Sequence, residues 1–234
     1  MDAGRRAPRD PHLVTKVLVA VDAVVFLVFL VVPADPGTRR PLELLGLYAD
    51  RPGGPDHGVA AGEYHRLLTS VFLHQTWWHL AGNMIGLWVL GGPLEAELGR
   101  ARYLCLYLLS GLGGSALVYL LAEPNTPTLG ASGAVFGLLG ATVVHMRRTG
   151  EDMRPIAVVV VLMLLIGFVP LSADATWTVS WQDHVGGLVA GFLLGLGMVR
   201  PPAGRGGAAL RWGSCAAVPL LVAAAVLVRT AELT

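Results

Sequence analysis

Charge is scarce in this chain of 234 residues: 14% are Asp, Glu, Lys or Arg, against roughly 25% in an ordinary soluble domain. Lysine is nearly missing, with Lys16 the single example beside sixteen arginines. That bias, alongside abundant Ala and Gly, fits a GC-rich genome and a bacterial plasma membrane. Cysteine is limited to Cys105 and Cys215. Both lie in apolar runs, too few for a disulfide framework, and are read as small buried hydrophobes. No H-E-x-x-H zinc motif occurs, and no ten-residue alternation suggests a membrane barrel. There is neither an internal repeat nor a stretch resembling a soluble domain. No cleavable signal peptide is expected, because the first apolar run, Val14–Val32, is too long for an h-region and no small-residue cleavage site closes it. The net charge of +1 is uninformative as a total, so the placement of charge carries the information.

What the chain has in quantity is apolar residues, 54% of the total, with a mean hydropathy of +0.61. Seven apolar segments follow one another: Val14–Val32, Trp77–Gly92, Tyr103–Ala122, Ser132–His145, Ile156–Leu171, His184–Val199 and Gly213–Val228. Several are short for a span of roughly 17 residues or more, so their helices are expected to run into the flanks. The fold class predicted is an all-α polytopic membrane protein with seven spans. Residues 1–13 form an N-terminal tail, 14–199 a six-helix core, 200–212 a Pro- and Gly-rich linker, and 213–234 an additional C-terminal helix.

Loop arginines orient the bundle. One side holds Arg5, Arg6, Arg9 and Lys16, then Arg100 and Arg102, then Arg147, Arg148 and Arg154, then Arg200, Arg205 and Arg211. The short loops opposite, Glu123–Gly130 and Ser172–Asp183, hold no Lys or Arg. Arg39, Arg40, Arg51 and Arg66 sit in a long loop, which weighs less. The N-terminus is therefore expected inside and the C-terminus outside.

With that topology, the second, fourth and sixth spans all enter from the outer side. Their outer ends carry His79 with Asn83, Gly130-Ala131-Ser132-Gly133, and His184. Polar groups in a bilayer are costly, so their convergence at one level calls for a reason. Ser132 is a candidate nucleophile: Gly130 and Gly133 leave room for a substrate backbone, and a helix start offers unpaired N–H groups to an oxyanion. The alternative is a packing serine or an N-cap. His184 is the candidate base. It opens His184-x-x-Gly187-x-x-x-Gly191, while the fourth span carries Gly133 and Gly137. Small residues on both helices allow close packing, which would bring His184 within hydrogen-bond reach of Ser132. Asp183 is set aside as a third member, since adjacent helical residues point about 100° apart and it cannot orient the ring of its neighbour. His79 and Asn83, four apart on one face, could both donate to an oxyanion; the alternative is interhelical polar glue. From Ser132 to His145 a helix rises only about 20 Å. Either the preceding loop dips inward and Ser132 is recessed, or the helix continues through Arg147 and Arg148. Asp22, inside the first span, is what a transporter or channel would use; it is either paired or near enough to the inner surface to be hydrated. A non-catalytic membrane binding protein is the other alternative.

The order and spacing of Glu63-Tyr64-His65-Arg66-Leu67-Leu68-Thr69-Ser70, His74, His79-x-x-x-Asn83, Gly130-Ala131-Ser132-Gly133-Ala134-Val135-Phe136-Gly137 and His184-x-x-Gly187-x-x-x-Gly191 resemble the rhomboid proteases from about Glu63 to Val199. The resemblance implies an intramembrane serine endopeptidase with a six-helix core and a Ser132–His184 dyad. It also implies oxyanion stabilisation by the Ser132 backbone N–H, His79 and Asn83. It makes Arg66 and Glu95 structural and seats the Phe136 ring on the catalytic histidine. His65 stands where the family usually has tryptophan, and Phe136 replaces the tyrosine of some members. The implied partners are single-span or polytopic membrane-protein substrates and the lipid bilayer, with no nucleic acid, metal or organic cofactor.

Overall fold

A continuous apolar segment in lipid must satisfy its backbone polar groups internally, which selects the helix. The computed structural model describes residues 10–31, 47, 57–124, 127–166 and 180–234. Over these residues the chain forms α1 (Leu13–Val31), α2 (Arg66–Thr69) continued by a 3-10 turn (Ser70–Phe72), α3 (Trp77–Leu98), α4 (Arg100–Leu121), α5 (Ser132–Thr149), α6 (Arg154–Ile166), α7 (Trp181–Met198) and α8 (Gly204–Leu233). Among the described residues the extended pairing is a single bridge between Leu47 and Thr128. Arg5, Arg6, Arg9, Arg39, Arg40, Arg51 and the end of the fifth expected span (167–171) lie outside the described residues. By length and composition, α1, α4 and α8 are long and apolar enough to cross a membrane.

The centre of the bundle is α5, in which every residue from Gly133 to Ala141 is buried. A helix buried on all sides needs neighbours all round, and α5 packs against α7, α4 and α3. The α5–α7 contact is a glycine seam: a Cβ at Gly187 would run into the Gly133 carbonyl, and one at Gly191 into the Gly137 carbonyl. Backbones this close need residues without side chains on both sides. At the periphery, Leu27, Leu30 and Val31 on α1 and Leu220, Leu221 and Leu227 on α8 are exposed, the apolar surface that lipid covers.

Three polar devices tie the helices together. Glu95 of α3 accepts from the backbone N–H groups of Val14 and Thr15, both at 2.8 Å, and from Thr15 Oγ1 at 2.9 Å. It thereby caps the orphan donors of α1 with a negative charge at that helix's positive end. Arg66, almost fully buried, donates from Nε to Glu63 Oε2 at 2.7 Å, and the Gly58 N–H donates to the same oxygen at 2.7 Å. Burial on its own would raise the Glu63 pKa, but these two donors and the guanidinium charge outweigh it and bring the carboxyl from 4.5 down to about 2. At the opposite end of the bundle from Ser132, Arg148 donates to the Val199 carbonyl and, at 2.8 Å, to that of Leu196, satisfying the end of α7.

The structure bears on two readings of the sequence, taking the second of the two alternatives for α5. α5 continues through Arg147 and Arg148 to Thr149, where Gly150 closes it at φ 76° and ψ 20°. Its 18 residues rise about 27 Å, so helix length gives no ground for a recessed Ser132. The last helix begins at Gly204, inside the stretch 200–212 read as linker. Only Val199 to Ala203, with its two prolines, separates it from α7, because the glycines beyond weaken a helix without breaking it.

Candidate active site

Three helix N-termini meet at one end of the bundle. Thr76 caps α3, its Oγ1 accepting from the His79 N–H at 3.4 Å. Ser180 caps α7, its Oγ accepting from the Asp183 N–H at 3.2 Å. α5 starts at Ser132 without a side-chain cap. The strand of chain leading into α5 is held by the Gly130 N–H donating to the Ser70 carbonyl at 2.9 Å. Gly130 has φ +125°, a conformation open to glycine at little cost. A Cβ there would also stand 2.7 Å from His79 Nε2 and 3.7 Å from Asn83 Nδ2. Glycine thus leaves space facing two side-chain nitrogens, and Asn83 Nδ2 is buried without a hydrogen-bond partner.

On the other side of Ser132 lies α7. His184 is buried, and its ring stacks on Phe136 with centroids 4.0 Å apart and planes 14° apart. Its Nδ1 has no hydrogen-bond partner. The glycine seam sets this spacing, since Gly187, one turn beyond His184, lies on Gly133, next to Ser132. The structure therefore brings Ser132, Gly130, Gly133, Phe136, His184, Gly187, His79 and Asn83 into one neighbourhood.

One bond departs from the sequence reading. The Ser132 hydroxyl donates to Asp183 Oδ2 at 2.7 Å, and not to His184. Asp183 is buried, and the Gly133 backbone amide lies against the same carboxylate. Among the described residues no hydrogen bond joins Asp183 to His184, as the 100° offset between adjacent helical residues requires. That same offset turns Asp183 toward α5, where sequence reasoning had left it out. The signal was available in the spacing. Asp183, Gly187 and Gly191 are each four apart and form one ridge, so the periodicity that places Gly187 on Gly133 places Asp183 one turn along, beside Ser132.

Behind His79, the ring of His74 makes an edge contact with centroids 5.1 Å apart. His74 Nδ1 stands 3.9 Å from Asp22 Oδ1. Asp22 is fully buried, so it belongs to the interior beside His74 and is not hydrated at a surface. Among the described residues, no three His, Cys, Asp or Glu side chains gather as a metal ligand set.

A profile of the Rhomboid domain matches residues 61–201. The chain is 35% identical over 152 residues to rhomboid protease GluP of Bacillus subtilis (strain 168), covering 64% of this chain and 29% of that protein. It is 37% identical over 152 residues to RHOMBOID-like protein 5 of Arabidopsis thaliana, covering 62% and 47% respectively. With YdcA of B. subtilis (strain 168) it shares 31% identity over 181 residues, 76% of this chain and 84% of that one. The chain thus spans under half the length of the first two.

Proposed function

Because this chain belongs to the rhomboid family of membrane proteins, we propose that it is an intramembrane serine endopeptidase with a Ser132–His184 dyad. The observation that carries this is the glycine seam, with Gly187 in contact with Gly133, which draws the starts of α5 and α7 together and sets His184 beside the nucleophile's helix. The reaction is acyl transfer. His184 takes the Ser132 proton, and Oγ attacks a peptide carbonyl in or near a substrate's transmembrane helix. The carbonyl electrons move onto oxygen, where His79, Asn83 and the Ser132 N–H donate to the developing charge. His184 then protonates the leaving amine as the C–N bond breaks. Water repeats the sequence on the acyl-enzyme and restores Ser132.

Phe136 serves as the platform for the His184 ring, and Gly130 and Gly133 keep the space before Ser132 open. The chemistry calls for no metal or organic cofactor. The partners are membrane-protein substrates, single-span or polytopic. The architecture proposed is a six-helix core, 14–199, with α8 as an added span, giving seven in all. The arginine distribution supports a multi-pass protein of the cell membrane with a cytoplasmic N-terminus and an active site toward the outer face.

The test is cleavage of a single-span substrate in liposomes. Wild type is expected to cut it, with Ser132→Ala and His184→Ala inactive and still folded. Undiminished cleavage by Ser132→Ala overturns the proposal.

A further inference from the structure

Asp183 has no part in the dyad, yet it is the residue that holds the nucleophile. Its Oδ2 accepts the Ser132 hydroxyl at 2.7 Å, the length of a hydrogen bond to a carboxylate. Its position is prepared from three directions. The Ser180 hydroxyl accepts from the Asp183 N–H at 3.2 Å, fixing the first turn of α7. The Gly133 amide faces the carboxylate at the positive end of α5. Glycines at 114 and 133 provide the room, since a Cβ at either would collide with the Asp183 carboxyl group. Asp183 is itself buried, and a buried carboxylate needs donors of this kind.

Ser132 has one hydroxyl proton. While that proton points at Asp183 it cannot point at His184, whose Nδ1 is without a partner. The two bases lie on adjacent residues of one helix, on facets about 100° apart, so they approach Ser132 from different sides and compete for it. Asp183 also differs in what it can do next. A proton handed to it would sit on the α4–α5 side, against Gly114 and Gly133, and not on His184, which the mechanism needs as the acid for the leaving amine.

We infer that Asp183 is a positioning residue that latches Ser132 in a resting state, and that attack requires the hydroxyl to turn from Asp183 to His184. The inference rests on the Ser132–His184 dyad. In the productive step the O–H bond of Ser132 breaks, its proton goes to His184, and the Oγ electron pair forms the bond to the carbonyl carbon. Asp183 neither gains nor loses a proton. Its effect is on the population of attack-ready Ser132. The latch costs rate whenever the substrate does not displace it, and it protects an activated serine from non-specific acylation.

The experiment measures the rate of fluorophosphonate labelling and kcat and KM for helix cleavage in wild type, Asp183→Asn and Asp183→Ala. Asparagine keeps the size and one acceptor for the Gly133 amide, but turns an NH2 donor toward Ser132 Oγ, leaving the hydroxyl proton free for His184. Loss of a charge-assisted hydrogen bond corresponds to a rate gain of about tenfold. Both variants are expected to label about tenfold faster, with kcat raised, KM unchanged and labelling still abolished by a second change, His184→Ala. Unchanged or slower labelling in folded Asp183→Asn overturns the latch while leaving the dyad intact. Loss of labelling in both Asp183 variants, with labelling retained in His184→Ala, overturns both and makes Asp183 the base. Absence of Ser132-dependent labelling in wild type also overturns both.

Discussion

The imidazole of His184 lies flat on the ring of Phe136, 4.0 Å between centroids and 14° between planes. The contact joins α5 and α7 within one turn of Ser132, and it holds a histidine whose Nδ1 has no hydrogen-bond partner. In a Ser-His-Asp triad a carboxylate lies against the imidazole; against this one lies an aromatic face.

Phe136→Ala removes that face. Catalytic turnover is expected to fall about tenfold with KM little changed, beyond a stability loss of about 3 kcal/mol for a buried aromatic. Phe136→Tyr keeps the ring and should keep the rate. Steady-state cleavage together with thermal unfolding separates the two effects; equal turnover in wild type and the folded alanine variant would show that the ring plays no part in positioning.

Asn83 presents a buried Nδ2 without a partner toward Gly130. If it serves the oxyanion, Asn83→Ala lowers kcat by about a hundredfold and leaves KM near its wild-type value. A rise in KM at constant kcat would assign Asn83 to substrate binding instead.

Gly187→Ala forces a methyl group against the Gly133 carbonyl. Backbone cannot yield as a side chain can, so destabilisation is expected at the upper end of overpacking, about 3 kcal/mol. Gly213→Ala in α8 meets nothing within 4 Å and should be neutral or slightly stabilising, because alanine favours the helix. Melting temperatures in detergent decide; equal values for the two variants would remove the seam from the account of the fold.

Glu63 is a carboxylate whose folded pKa, about 2, lies below its ordinary 4.5. A depressed pKa contributes stability that is fully present above about pH 4.5 and is lost as pH falls toward 2. Wild type should therefore lose stability across that window through this residue, and Glu63→Gln should be less stable at pH 7 with a flatter profile below pH 4.5. Parallel pH profiles for the two proteins contradict the assignment.

The helical class, the order of the apolar segments and the residues of the glycine seam were legible in the sequence. They rest on local properties: hydropathy, the fourfold spacing of Gly187 and Gly191 against Gly133 and Gly137, and the cost of polar groups in lipid. The meeting of His79, Asn83, Ser132 and His184 was legible too, because topology alone puts the starts of three helices at one end.

Other features depended on distances between elements that no spacing contains. The caps on α1 come from Glu95, some 80 residues away. The burial of Asp22 beside His74 depends on how α1 leans on the bundle. The nearness of Asp183 to Ser132 is contained in its spacing to Gly187, but the direction of the Ser132 hydroxyl is not. Sequence alone named Ser132 and His184 and set Asp183 aside; a hydroxyl has one proton, and only the rotation of α7 against α5 determines which base receives it.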